Sequence, residues 1–129
     1  MNDNSIDGLL GREYTGVKGQ AAIVKLMEEK QGHVKAAFFR EDVGTIDLIW
    51  GNSMVGLQHI IERRGEDGID INSFMSDLTN VIENGIMRGK NKRGNFEILL
   101  DGKMAVISPE FHCQGITFLL TAFKTRLKK

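Results

Sequence analysis

The sequence predicts an α+β fold, helices packed on a curved and mostly antiparallel β-sheet. Two observations carry this. Segments whose apolar residues recur at helical spacing precede a run of strand-like segments, and the order helix, two strands, two helices, three strands lacks the βαβ rhythm of a nucleotide-binding fold. A chain of 129 residues with 41% apolar and 26% charged residues is also the size and composition of one globular domain with one core.

Residues 1–14 are rich in Asx and show no sustained period, so they read as a loose leader or the trimmed end of a longer polypeptide, with 15–129 as the single domain. Thr15 is placed to cap a helix running to about Lys30, with Ala22, Ile23, Leu26 and Met27 as its apolar stripe and Gly32 as its stop. His33 to Arg40 and Thr45 to Trp50 read as a hairpin around Glu41-Asp42-Val43-Gly44. Val55 to Arg64 returns to helical spacing, with Leu57, Ile60, Ile61 and the stem of Arg64 on one face and Gly65 as the end. Ile71, Phe74, Met75, Leu78, Val81 and Ile82 mark the clearest amphipathic helix, stopped by Asn84-Gly85. A basic loop from Arg88 to Gly94 follows, then strands at Asn95–Leu100, Lys103–Ser108 and Gly115–Phe123, the first two joined by the hairpin signal Asp101-Gly102.

Composition excludes several classes. The single cysteine, Cys113, rules out an intrachain disulfide and a Cys-x-x-Cys ligand pair, which fits a reducing, cytoplasmic setting. The start of the chain has no basic n-region or apolar run of a signal peptide, and no stretch of about twenty apolar residues offers a membrane span. There is no P-loop, no Gly-x-Gly-x-x-Gly turn and no Gly-x-Ser-x-Gly elbow, and His33, His112 and Cys113 lack zinc-like spacing, so neither a cofactor nor a metal site is expected. The net charge of zero conceals a division: residues 1–85 sum to −6 and residues 86–129 to +6. A basic second part suits a polyanion such as RNA, or is ordinary solvated surface.

On a helical wheel His59 lies opposite Leu57 and Ile61 and shares its face with Glu62 and Arg63, and Gly56 one turn earlier leaves the ring unobstructed. Imidazole titrates near neutrality and guanidinium holds phosphate in a fork, so this face suits proton transfer beside an anion; the plain alternative is a solvated helix face. Trp50 ends a strand, where it packs into the core or forms a wall for a stacked base. Asp47 alternates away from Ile46, Leu48 and Trp50 and needs a partner if its face is covered. Arg88, Lys90, Lys92 and Arg93, with the basic tail of Lys124, Arg126, Lys128 and Lys129, are candidates for RNA phosphate contacts. Thr121 shares a face of the last strand with Thr117, Leu119 and Phe123 and offers a hydroxyl, or is simply a residue of high strand propensity.

Gly32-His-Val-Lys-Ala-Ala-Phe-Phe-Arg40, Gly44-Thr-Ile-Asp-Leu-Ile-Trp-Gly51, Gly56-Leu-Gln-His-Ile-Ile-Glu62 and Leu120-Thr-Ala-Phe123 occur in one order between about Gln20 and Phe123. In that order they resemble the phage and mobile-element nuclease domains grouped with barnase, EndoU, colicin and RelE toxins (the BECR group). Such domains commonly sit in large polyvalent phage proteins, and their fold is helices followed by a curved antiparallel sheet. The resemblance implies an RNA-cleaving toxin or effector, with RNA (tRNA included) as substrate, an immunity or antitoxin protein as partner, and His59 as the leading active-site position. A second histidine often follows five residues later in that family; this chain has Arg64 there.

These readings combine into a metal-independent endoribonuclease. His59 takes the proton of a ribose 2′-hydroxyl that attacks the adjacent phosphate, Glu62 orients the imidazole or is itself the base, Arg63 or Arg93 meets the developing charge, and Thr121 holds the phosphate. The general acid is unassigned. Arg64 in place of histidine favours the alternative of an inactive RNA- or protein-binding module, and a structural piece of a phage or integrated-element protein is a third reading.

Overall fold

The computed structural model describes residues 11–109 and 116–125. In chain order these form β1 (Glu13–Tyr14), α1 (Gln20–Glu29), β2 (His33–Arg40), β3 (Gly44–Ile49), α2 (Gly56–Glu66), α3 (Ile71–Asn84), β4 (Ile86–Lys90), β5 (Phe96–Leu100), β6 (Lys103–Ser108) and β7 (Phe118–Lys124). The strands make one seven-stranded sheet in the order β1-β2-β3-β7-β6-β5-β4, with β1 parallel to β2, β3 parallel to β7, and every other pair antiparallel. The α+β architecture is as expected.

Three local features depart from the sequence reading. Helix α1 starts at Gln20 rather than after Thr15, because the Gly19 amide donates to the Ala37 carbonyl of β2 at 2.7 Å and so fixes where the helix begins. Glu13–Tyr14, inside the expected leader, is a short strand beside His33 and Val34. The basic segment is not all loop. Ile86–Lys90 pairs with β5, and only the turn at 91–94 is loop, closed by the Asn91 side chain accepting from the Arg93 and Asn95 amides. Charges on an edge strand discourage pairing with another chain and also hide the strand from a pattern search.

All three helices bury their apolar stripes against one face of the sheet. Ala22, Ile23 and Leu26 of α1, Leu57 and Ile60 of α2, and Phe74, Met75, Leu78, Val81 and Ile82 of α3 join Val34, Ile46, Leu48, Ile98, Ala105, Ile107, Leu119 and Ala122 in one core. Helix α3 is capped by Asp70, whose carboxylate accepts from the Asn72 and Ser73 amides. Asp47 lies beside Phe118 on the opposite sheet face, is 7% exposed, and accepts from the Ala36 amide at 2.8 Å. Ala36 has φ +53 within the irregularity between Val34 and Phe38. The partner Asp47 requires is thus a backbone N–H freed by a bulge, and its role is to hold that bulge.

Arg40 ties the sheet to α3. It donates to the Ile82 and Gly85 carbonyls, each at 2.9 Å, and to both carboxylate oxygens of Asp42. A cation there satisfies carbonyls that the helix end leaves unpaired and complements the negative end of its dipole. Arg40→Met should cost about 2–3 kcal/mol, since it removes charge-assisted bonds to part-buried carbonyls. The hydrogen bond from Arg40 also holds the Asp42 carboxyl below its ordinary value of 3.8. A lowered folded-state value means this contribution is fully present above the unfolded value and is lost as pH falls through the folded one. Thermal denaturation should therefore find Asp42→Asn less stable than the wild type at neutral pH, with the gap closing in acid as the Asp42 carboxyl takes up its proton; a gap that does not change with pH would contradict this role.

Candidate functional site

The site is built on the turn from β3 into α2. Gly51 (φ +75) and Gly56 (φ +86) adopt a backbone that other residues avoid. A Cβ on Gly51 would collide with the Val55 carbonyl, and one on Gly56 would sit 2.9 Å from both the Ile49 side chain and its carbonyl oxygen. The buried Gly56 therefore permits close packing of helix on strand, which is a different task from the open access inferred from its sequence position. The turn is tied by Asn52 N–H to Val55 O at 3.0 Å and Gln58 N–H to Trp50 O at 2.8 Å. The Asn52 side chain accepts from the Met54 and Val55 amides.

This turn places the Ser53 carbonyl 2.9 Å from Nδ1 of His59. A carbonyl only accepts, so Nδ1 carries the hydrogen and the neutral ring keeps its lone pair on Nε2. The ring is half-buried and held at one end, while α2 buries Leu57, Ile60 and Arg64 on its other side. Arg63, one turn further along, is 57% exposed with Glu66 at 3.5 Å. Glu62 is exposed on the same helix, but its carboxylate accepts from Gln58 Nε2 at 2.8 Å, whereas the imidazole is bonded to the Ser53 carbonyl.

Arg64, the residue that stands where the resemblance implies a second histidine, is 8% exposed. It donates to the Ala122 carbonyl of β7 at 2.7 Å and to Asp67 at 3.0 Å. It clamps α2 to the sheet and points away from the outer face where His59 stands.

Thr121 does not join that face. The register of β7 against β6 slips at Leu120, with Val106 opposite Thr121 and Ile107 opposite Leu119. Strict alternation put Leu119 and Thr121 on one face; the bulge separates them. Leu119 and Ala122 now meet the core under α2, and Thr121 lies beside Val106 on the far side of the sheet. The exposed Arg88, Lys90, Lys92 and Arg93 occupy β4 and its turn at the sheet edge, three strands from β7 and so about 14 Å across the sheet. Of the two arginines considered for the phosphate, Arg63 is the one brought beside His59. His112, Cys113, Arg126, Lys128 and Lys129 lie outside the described residues.

A groove that the sequence reading did not define opens on the adjoining side of α2. Met27, Lys30, Trp50, Gln58, Ile61 and Glu62 line a cavity of about 480 Å³, and Lys30, Trp50 and Gln58 also line a neighbouring one of about 360 Å³ with Gly11, Gln31, Gly32 and Gly51. Trp50 is half-buried, packing on the core and forming the groove wall together. Its position beside Gly51 was a usable signal; the contributions of Lys30 and Gln58 depend on how α1 and α2 come together. Among the described residues no group of three or more His, Cys, Asp or Glu is placed to hold a metal ion, and no helix is long and apolar enough to cross a membrane.

Three helices on a mostly antiparallel sheet make an α+β domain, the architecture of the BECR nuclease type. The chain belongs to the phage-Barnase-EndoU-ColicinE5/D-RelE like nuclease 1 family, which matches residues 37–128, from within β2 to beyond the last strand. Neither the curated proteins nor the solved structures supply a match.

Two substitutions test the construction of the site. Gly51→Ala should destabilise the fold by at least about 2–3 kcal/mol in urea denaturation, because it meets both a positive φ and a backbone collision. Arg64→Met keeps the apolar stem but leaves a carbonyl unpaired and should cost about 2 kcal/mol. Wild-type stability in either variant would contradict the corresponding contact.

Proposed function

We propose that this phage-type nuclease domain is an endoribonuclease in which His59 is the base and the reaction uses no metal ion. The observation that carries the reading is the Ser53 carbonyl on Nδ1, which leaves Nε2 as an acceptor on an outer face. Nε2 takes the proton of a ribose 2′-hydroxyl, the 2′ oxygen bonds to phosphorus, and the bond from phosphorus to the 5′ oxygen breaks. The products are a 2′,3′-cyclic phosphate and a 5′-hydroxyl that has taken up a proton from water. Arg63, about 5–6 Å along the same face, neutralises charge on the phosphate oxygens. Thr121 and the basic turn lie outside this scheme; the turn suits an RNA strand crossing the sheet edge.

A second reading, an RNA-binding module that does not cleave, is favoured by the engagement of Arg64 in the fold and by the distance from His59 to the basic turn. The two readings separate on total RNA incubated in EDTA with wild type and His59→Ala. The endoribonuclease reading requires cleavage by wild type, at least about a hundredfold slower cleavage by the variant, and cyclic phosphate ends. Equal cleavage by both would remove His59 from the mechanism, and activity only with added metal would overturn the scheme. Salt-dependent binding without cleavage selects the module; replacing the four basic residues of the edge should then flatten the salt slope by about three.

A further inference from the structure

We propose that the groove beside Trp50 is a recognition site for a guanine base of single-stranded RNA. The inference rests on the reading that the domain acts on RNA, and adds which base it takes and which residues read it.

The groove has the parts that base recognition needs. Trp50 supplies a flat aromatic wall, and Met27 and Ile61 supply the rest of the apolar lining. Unpaired bases stack on such walls and are then distinguished by hydrogen bonds to their edges. A cavity of about 480 Å³ is within the range of small-ligand sites, so a base with its ribose fits.

The polar groups select the base. Gln58 Nε2 gives one hydrogen to Glu62 Oε2, which leaves its second hydrogen as a donor. The Glu62 carboxylate still has acceptor positions on both oxygens. The pair therefore presents one donor beside two acceptors. The Watson–Crick edge of guanine is the complement, with the O6 acceptor followed by the N1–H and N2–H donors. Adenine and cytosine would each turn a ring nitrogen lone pair toward the carboxylate, and uracil offers one N–H between two carbonyls. Lys30 lines both cavities and has no ion pair among the described residues, so its ammonium is available for the nucleotide's phosphate. Glu62 and His59 are about 60° apart around the α2 axis, so a strand leaving the groove over Glu62 meets the imidazole next.

The chain has one tryptophan, so fluorescence excited selectively at tryptophan, beyond the absorption of Tyr14, reports this groove alone. The experiment titrates wild type with the four ribonucleoside 3′-monophosphates, corrected for absorbance with free tryptophan. Guanosine 3′-monophosphate should quench Trp50 with an affinity at least about tenfold above the other three, the discrimination expected of a bidentate contact. Glu62→Gln should abolish that preference, and Lys30→Ala should weaken all four nucleotides while keeping it. Both positions are exposed, and circular dichroism checks that the variants fold. Equal quenching by all four, no quenching at millimolar nucleotide, or an unchanged preference in Glu62→Gln overturns the proposal. These ligands have no phosphodiester to a following nucleotide, so their binding is independent of cleavage. Selective quenching without RNA cleavage would leave the guanine site standing and sink the endoribonuclease; cleavage without selective quenching would do the reverse.

Discussion

The close passage of backbone over backbone at the β3–α2 turn is the constraint on which the functional face depends. Gly51 and Gly56 let the chain double back within a few residues, with the Val55 carbonyl occupying the space a side chain would fill on Gly51. Because α2 starts there, Leu57 and Ile60 reach the core, Trp50 stays at the groove rather than being swallowed by it, and the Ser53 carbonyl meets His59. A longer connection would leave helix and strand free to choose other angles. The turn therefore acts on packing and on chemistry together.

Two arginines extend the constraint across the sheet, and both bind backbone carbonyls rather than only carboxylates. Arg40 ends β2 on the last turn of α3, and Arg64 fastens the end of α2 to β7. A guanidinium has donors enough to hold a carbonyl and a carboxylate at once, which lysine cannot do with the same planar geometry. The fold also commits Arg64 chemically. A permanently charged group bound to the Ala122 carbonyl is not a proton donor to a leaving group, so His59 is the imidazole this outer face offers.

Local pattern revealed much of this and long-range pairing the rest. The stripe from Phe74 to Ile82, the hairpin at Asp101-Gly102 and the strand from His33 to Arg40 are repetitive enough to be read directly, and their bounds agree closely with the fold. His59 was legible for the same reason: its angle on a helix follows from its neighbours. Thr121 was misplaced because a bulge at Leu120 reverses the faces of the residues beyond it, and nothing near Leu120 announces an irregularity that arises only in pairing with β6. Strand β4 was hidden by its charges and by Gly89, and β1 by its length of two residues. The Trp50 groove needed α1, β3 and α2 together; Lys30 and Gln58 are far apart in the chain, and neither belongs to a motif.

The division of charge along the chain acquires a spatial meaning. Its basic residues from Arg88 to Arg93 stand on the open edge of the sheet, whereas His59, Arg63 and the groove flank α2 near the other half of the sheet. An RNA strand that used both would be held along its backbone at one place and read or cut at another. That arrangement depends on His59 presenting the correct nitrogen. The most direct measurement is the imidazole tautomer in the free protein by two-bond nitrogen–proton NMR correlations above the histidine's titration range. A hydrogen on Nδ1, with Nε2 unprotonated, is the predicted result; a hydrogen on Nε2 would mean that the Ser53 carbonyl does not hold the ring and would contradict the account.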